Sequence, residues 1–296
     1  MLFIAENINI MSKSLGPAMK DRDPSPIEDM AKKMIANGAD ILDLNIGPAR
    51  KNGAEMMAWV VQTVQGVTKD VPLSLDTTNI EAMIGGLDAY NASNTRPIIN
   101  SISAIPDRME AMLPLVPKYN AQYIALMYAK DGIPRDANER AILAADILYH
   151  SMEMGIPMED MFFDPIAVPV SSQQNQVASC TEFTAMIGDI APGSNSTCGL
   201  SNVSNGSPDH LRPIINQVYV TILKNLGMTS SILDGLDLEI MAIAHDERKE
   251  REEFIMNVYN GGAVDLGSLT KEQLDDYKTV KILTAEALYS DSWLEL

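Results

Sequence analysis

The stretch TCGLSNVSNG, residues 197–206, follows the short apolar run Cys198-Gly199-Leu200 with Ser201, Asn202, Ser204 and Asn205. None of these is charged, and none is an obvious nucleophile. Similar polar endings recur along the chain. Glu6 and Asn7 close LFIAEN, Asp43 and Asn45 sit in DILDLNIGP, and Asp76 and Asn79 sit in VPLSLDTTN. Asn100 and Ser101 close RPIINS, Asp164 ends MFFD before Pro165, and Asp234 follows SSIL. A carboxylate accepts hydrogen bonds on two oxygens, and an amide both donates and accepts. A ring of such groups, almost without basic residues or histidine, suits a flat neutral heterocycle with several N–H donors along one edge. A pterin is that kind of molecule: its 2-amino and N3–H groups form a fork that one carboxylate accepts bidentately. Carboxylate-bound Mg²⁺ is the rival use of the ring. Helix capping is the plainest use of any single member, and Asn79 before IEAMIGGL and Asp107 before RMEAML both fit N-caps. Asp164, followed by proline, and Asn100, inside IINSIS, do not.

The runs that deliver these residues predict strands near 2–7, 40–48, 71–79, 96–101, 121–129, 160–166, 196–202 and 229–235, each short and rich in Ile, Leu, Val or Phe. Between them, 24–38, 53–69, 79–90, 107–119, 136–153, 177–188 and 208–227 carry apolar residues at helical spacing. Alternation of strand and helix implies a parallel sheet, and about eight units is the count of a closed (β/α)8 TIM barrel, whose chemistry sits at the carboxyl ends of the strands. An open doubly wound sheet more often carries a glycine-rich phosphate loop after its first strand; here that position reads Glu6-Asn7-Ile8-Asn9. Residues 237–258 read as one charged helix, 260–272 as a turn or loop, and 273–290 as a further helix. The expected organisation is a barrel over 1–245 with a C-terminal helical extension, 246–296, packed on it.

Composition narrows the partners. The formal net charge is −18 over 296 residues, which argues against nucleic acid and anionic membranes. The start MLFIAENINIM lacks the form of a signal peptide, and no apolar run reaches transmembrane length. Two cysteines and three scattered histidines provide no disulfide framework and no multi-histidine metal site. A cytoplasmic location is the expectation. Cys198, inside a strand, reads as a small core residue rather than a thiolate.

Five strings, LDLNIGP (42–48), LSLDTTN (73–79), IINS (98–101), FFDPI (162–166) and CGLSNVSNG (198–206), resemble the pterin-binding methyltransferase family. RDPSPIEDMAKKMIANGADILDLNIGPA (22–49) and GIPRDANER (132–140) extend the likeness to its methyltetrahydrofolate:corrinoid/iron–sulfur protein methyltransferases of the acetyl-CoA pathway, over roughly residues 1–245. The resemblance implies a TIM barrel and a homodimer. It implies transfer of the N5 methyl group of 5-methyltetrahydrofolate to Co(I) of a corrinoid (a cobalamin) carried by a partner iron–sulfur protein. Asp76, Asn100 and Asp164 match pterin-binding positions, Asn202 the amide that reaches N5, and Asn205 and Arg212 further folate contacts. Ser201 and Asp43 complete the expected substrate-binding set.

The implied chemistry accounts for the missing nucleophile, because the cobalt supplies it. A neutral amide at Asn202 stabilises charge developing on N5 as the methyl departs. No acid for the nitrogen stands out, although Asp43 or Asp76 could relay a proton through water. The substrate's glutamate tail calls for local positive charge, for which Lys13, Arg50, Lys51 and Arg212 are candidates. Four alternatives stay open: reverse flux from a corrinoid protein to tetrahydrofolate in O-demethylation, dihydropteroate synthase, a non-catalytic folate-binding or partner protein, and a metal-dependent lyase. The synthase reading lacks its lysine after the seventh strand (SNVSNGSP) and its arginine near the eighth (ILDGLDLE).

Overall fold

The computed structural model describes residues 1–295; the last position of the expected extension, 296, lies outside them. The eight strands are β1 (Leu2–Asn9), β2 (Ile41–Asn45), β3 (Leu73–Asp76), β4 (Ile98–Ser103), β5 (Gln122–Leu126), β6 (Met161–Asp164), β7 (Asn195–Ser196) and β8 (Ser230–Leu233). They pair in parallel in chain order, and β1 also pairs with β8. The seam between β7 and β8 is closed largely through side chains, with Thr229 and Ser196 exchanging bonds between hydroxyl and backbone N–H. Gly199 bridges Ile232, Ile232 N–H donates to the Cys198 carbonyl at 2.8 Å, and the Ser230 hydroxyl donates to the Ser196 carbonyl at 2.8 Å. The result is the (β/α)8 barrel expected from the alternation of elements.

The helices are α1 (Leu15–Asp21), α2 (Ser25–Ala36), α3 (Gly53–Val67), α4 (Ile80–Ala89), α5 (Pro106–Met112) and α6 (Leu115–Lys118). They continue with α7 (Ala137–Glu153), α8 (Val170–Ile190), α9 (Arg212–Asn225), α10 (Leu238–Ala244), α11 (Lys249–Tyr259) and α12 (Lys271–Leu283). Their apolar faces bury Phe3, Leu42, Leu44, Leu73, Leu75, Ile99, Tyr123 and Phe163 on the outer side of the sheet.

Three expectations are corrected. Residues 237–258 are two helices, because Asp246 turns to φ +64 and Lys224 pins the break: its Nζ donates to the Ile243 carbonyl at 2.6 Å and meets Asp246 at 2.8 Å and Glu252 at 3.0 Å. Asp107 is not an N-cap; Pro106 already occupies the first turn of α5, and the cap position falls on Ile105. The strand expected over 196–202 is only two residues long, and Leu200–Ser204 winds into a 3₁₀ turn. Asn79, by contrast, caps α4 through the Ala82 N–H at 3.2 Å.

The barrel interior is built in two layers. Ile4, Ile41, Ile98, Ile124, Phe162 and Ile232 form an apolar cluster of their own, separate from the outer core. Side chains two positions apart share one face of a strand. Two residues beyond five of these plug residues stand Glu6, Asp43, Asn100, Asp164 and Asp234. The plug therefore floors a polar layer facing the carboxyl ends of the strands, where a barrel of this kind places its site.

Candidate active site

On the β2–β4 side the polar layer is tied to itself. Asp43 Oδ1 accepts both the Ser74 hydroxyl at 2.6 Å and Asn100 Nδ2 at 3.0 Å. Asn45 Nδ2 donates to Asp76 Oδ2, and Asn45 Oδ1 is itself held by the Gly47 N–H at 2.9 Å. The Ser74 and Asn45 bonds join the neighbouring strands β2 and β3 at paired positions, since Asp43 lies opposite Ser74 and Asn45 opposite Asp76, while the Asn100 bond reaches from β4 past β3 to β2. They leave Asp76 Oδ1 and Asn100 Oδ1 without protein donors among the described residues, two acceptors side by side. β4 also shifts register between Ile99 and Ile102, where Asn100 and Ser101 lie; such irregularities re-aim side chains.

Asp164 is fixed separately. Its Oδ1 accepts the Ile166 N–H at 2.7 Å, a tight turn with Ile166 at φ +66. The fully buried Arg140 of α7 holds the segment, donating from Nε to the Pro165 carbonyl at 2.8 Å and from Nη1 to Ser179 Oγ at 2.6 Å.

The opposite wall is looser. The Ser201 hydroxyl donates to Glu6 Oε1. Asn202, exposed, accepts Asn205 Nδ2 on its Oδ1 at 3.1 Å, while its own Nδ2 donates to nothing among the described residues. Gly199 makes room for that amide, since a Cβ there would lie 3.0 Å from Asn202 Nδ2. Arg212, at the start of α9, donates from Nε to Ser204 Oγ at 3.2 Å and from Nη2 to Asn205 Oδ1 at 3.3 Å. Asn7 donates to Asp234 Oδ1 at 2.6 Å and accepts the Gly235 N–H at 2.7 Å, knitting the ends of β1 and β8. Glu6, Ser201, Asn205, Arg212, Asn216 and Asp234 are among the residues lining an open cleft of about 1130 Å³.

Burial dominates the electrostatics. The Glu6 carboxyl stands at about 7 instead of an ordinary 4.5, raised by burial first and then by the Asp43 and Asp234 charges, against the Ser201 hydroxyl and Arg212, which pull it down. Burial likewise takes Asp164 up to about 7 against the N–H groups of Ile166 and Gly199, and Asp43 to about 6 against Ser74 and Asn100. Asp76 is raised well above its usual value by burial and by the Asp43 charge. A buried carboxyl group ionises once donors face it. A ligand presenting N–H groups would provide those donors. Burial also pushes the Cys198 thiol up, as for an inert core cysteine. Among the described residues, no three His, Cys, Asp or Glu side chains group as a metal site would.

The structure thus bonds Asn100 to Asp43 and, beside them on β3, Asp76 to Asn45, and it brings Ser201, Asn202, Asn205 and Arg212 together on the side of Glu6. Asp164 stands between β5 and the β7 turn, with the Gly199 N–H in reach. Asn45 and Glu6 were legible as ring members but not as site residues. Ser74 is a site residue outside the expected set; its signal is its place two residues before Asp76, on the same face of β3.

A barrel with this polar mouth belongs to a known class: the chain is a member of the pterin binding enzyme family, whose model matches residues 6–232. Among curated proteins it is 24% identical over 243 residues to the methylcorrinoid:tetrahydrofolate methyltransferase of Eubacterium limosum, covering 81% of this chain and 88% of that one. It is also 24% identical over 271 residues to the methionine synthase of Mycobacterium leprae, covering 88% of this chain but only 22% of that longer protein. Among solved structures, the dihydropteroate synthase of Xanthomonas albilineans with 4-aminobenzoic acid superposes with a TM-score of 0.63 at 14% identity, covering 84% and 92% of the two chains. That of Thermus thermophilus in complex with 6HMPPP gives 0.61 at 17% identity, covering 83% and 93%. These last two share the fold. No helix among the described residues is long and apolar enough to cross a membrane.

Proposed function

We propose that this chain is a methyltransferase that moves the N5 methyl group of 5-methyltetrahydrofolate to Co(I) of a corrinoid held by a partner protein, in the manner of the acetyl-CoA pathway. The observation that carries this reading is Asn202: an exposed amide whose Nδ2 is uncommitted among the described residues, on the same turn as Ser201, which bonds Glu6 at the mouth of the barrel. In this reading Asp76 and Asn100 present acceptors to the N–H edge of the pterin, and Asp164 takes a second part of that edge. Desolvated carboxylates hold such donors strongly.

A tertiary amine departs poorly unless its lone pair is met as the bond to the methyl breaks. The Asn202 N–H meets it, stabilising the transition state more than the ground state. Glu6 is the acid that the sequence left unnamed. Its carboxyl is half protonated near neutrality and is bonded to Ser201, next to Asn202. A proton carried from Glu6 through Ser201 or water to N5 completes the departure. The same groups serve the reverse direction, which the name of the Eubacterium limosum relative describes; flux follows the supply of methyl donor. The resemblance of the sequence strings implies two copies per molecule, which sedimentation would check.

The deciding experiment mixes purified protein anaerobically with 5-methyltetrahydrofolate and reduced cob(I)alamin or a corrinoid protein, and follows loss of the Co(I) absorbance. Transfer that collapses in Asn202→Ala supports the reading. Folate binding without transfer would point to a specific corrinoid partner, and absence of folate binding would sink it.

A further inference from the structure

Residues 285–295 lie beyond the stretch that the family model matches, yet they run back to the loop that carries Asn202. After α12 the backbone turns at Ala285, φ +59. The far side of the segment is fastened to α12. Trp293, 4% exposed, donates from Nε1 to Thr279 Oγ1 at 3.2 Å, and Lys278 Nζ donates to the Leu294 carbonyl at 2.8 Å. Between these anchors a barrel side chain grips the backbone. Gln174 of α8 donates from Nε2 to the Ile282 and Ala287 carbonyls at 2.8 and 2.9 Å, and its Oε1 accepts the Tyr289 N–H at 3.0 Å. The Tyr289 hydroxyl in turn bonds Ser207 Oγ at 2.8 Å and donates to Asp291 Oδ1 at 2.9 Å.

Ser207 closes a loop that is bonded to itself. Its N–H donates to the Ser204 carbonyl, the Asn205 N–H to the Asn202 carbonyl, and the Ser204 hydroxyl to the Ser201 carbonyl, each at 3.1 Å. A second support comes from Ser171, in the first turn of α8, whose hydroxyl donates to the Asn205 carbonyl at 3.0 Å. That turn is set off from the rest of α8 by the non-helical Gln173 (φ −142, ψ 45), the residue before Gln174. The segment thus meets the loop directly through Tyr289, and through Gln174 it holds the helix beside the break behind Ser171.

We infer that Tyr289 and Gln174 are positioning residues for methyl transfer: the strap 285–291 fixes the backbone of the turn 201–207, and so keeps the Asn202 amide in place for the reacting nitrogen. The inference rests on the reading of Asn202 above. A donor serves developing charge only where it is well placed, and a displacement of about 1 Å can cost on the order of 10²-fold in rate.

The test uses full-length variants in single-turnover methyl transfer, with folate binding and amide hydrogen exchange alongside. Tyr289→Phe keeps the ring beside Trp293 and removes only the hydroxyl. It should lower the transfer rate about tenfold with folate Kd unchanged, a loss between that of one hydrogen bond and that of a full misplacement. Ser207→Ala should do the same, and the double variant no worse than either single, because both break one contact. Gln174→Ala, which releases the backbone of the strap, should act in the same direction. In the Asn202→Ala background, Tyr289→Phe should cost nothing further. The Asn205 and Ser207 amides should exchange faster in Tyr289→Phe than in wild type. An undiminished loss in the Asn202→Ala background, or unchanged rate and exchange in Tyr289→Phe, would overturn the strap and leave the methyl-transfer reading intact. Failure of the wild type to bind folate would overturn both.

Discussion

The two walls of the barrel mouth are built from the same residue types to opposite effect. On the β2–β4 side, Ser74 and Asn100 bond Asp43 and Asn45 bonds Asp76, and two acceptors, Asp76 Oδ1 and Asn100 Oδ1, are left without donors among the described residues. On the side formed by β1, the β7 turn and α9, the Asn202 amide is left over, and an acid, Glu6, is poised near neutrality. The first wall sits on strands, whose ladder fixes each side chain to one face. The second sits on a 3₁₀ turn and a helix end, where side chains keep more freedom. A rigid rack opposite an adjustable wall is what binding plus group transfer requires: recognition asks for preorganised acceptors, and catalysis asks for a donor engaged only as charge develops. Single substitutions can set one wall against the other.

The largest effect should come from the adjustable wall. Asn202→Ala should lower kcat of methyl transfer about 10²–10³-fold, the cost typical of removing one donor aimed at developing charge, with little change in folate Kd. Asp43→Ala, whose partners Ser74 and Asn100 lie within the rack, should cost far less turnover. Equal losses, or the reverse order, in single-turnover measurements would break the comparison.

The rack should answer in affinity instead. Asp76→Ala removes the carboxylate that is held by Asn45 and left open at Oδ1, and should weaken 5-methyltetrahydrofolate on the order of tenfold to a hundredfold, the range for a hydrogen bond to a charged group. Single-turnover kcat at saturating folate should change less than Kd. A pure kcat defect would move Asp76 into the reacting machinery.

A smaller, pH-dependent effect should separate Glu6 from both. Its carboxyl is raised from 4.5 to about 7, so the neutral acid is plentiful below pH 7 and scarce above it. Turnover should fall as pH rises through about 7, and in Glu6→Gln it should be lower and lack that limb. Stability carries the same sign. An unfolded Glu6 ionises near 4.5 and the folded one near 7, so between these values the native state binds more protons and stability falls as pH rises. Denaturant titrations at pH 5 and pH 8 should show wild type losing stability relative to Glu6→Gln. A pH profile unchanged in the variant would remove Glu6 as the acid.

How far these walls were legible in the sequence follows from their construction. Alternating apolar runs and helical stretches yield the barrel, and the rack residues stand out because β2, β3, β4 and β6 carry polar groups at inward positions among Ile, Leu and Phe. The adjustable wall was half legible. CGLSNVSNG reads as a strand because Cys198, Gly199 and Leu200 are apolar, yet the pairing ends early and the chain turns. Nothing local signals that turn, since it is set by closure of β7 on β8 through Gly199 and Ile232. Glu6 was visible as a residue but not as an acid; burial among Asp43, Asp234 and Ser201 raises its pKa, and burial is a property of the closed barrel. Asp107 misled because a capping residue type beside a helix is common, and only the proline ahead of it shows that the helix has already begun.

Asn79 makes the sharpest control, because it is a strand-end amide of the same kind as Asn100 and Asn202 but is spent on structure. Its Oδ1 accepts the Ala82 N–H at 3.2 Å and its Nδ2 donates to the Ala49 carbonyl at 3.0 Å, so neither end of the amide is left for a ligand. Asn79→Ala should cost about 1 kcal/mol of stability, the usual worth of an N-cap, read as a shift in the denaturation midpoint. Folate Kd and kcat should stay at wild-type values. If instead Asn79→Ala impaired transfer as Asn202→Ala does, an unpaired donor would not be what distinguishes a catalytic amide from a capping one, and the contrast between the two walls would lose its basis.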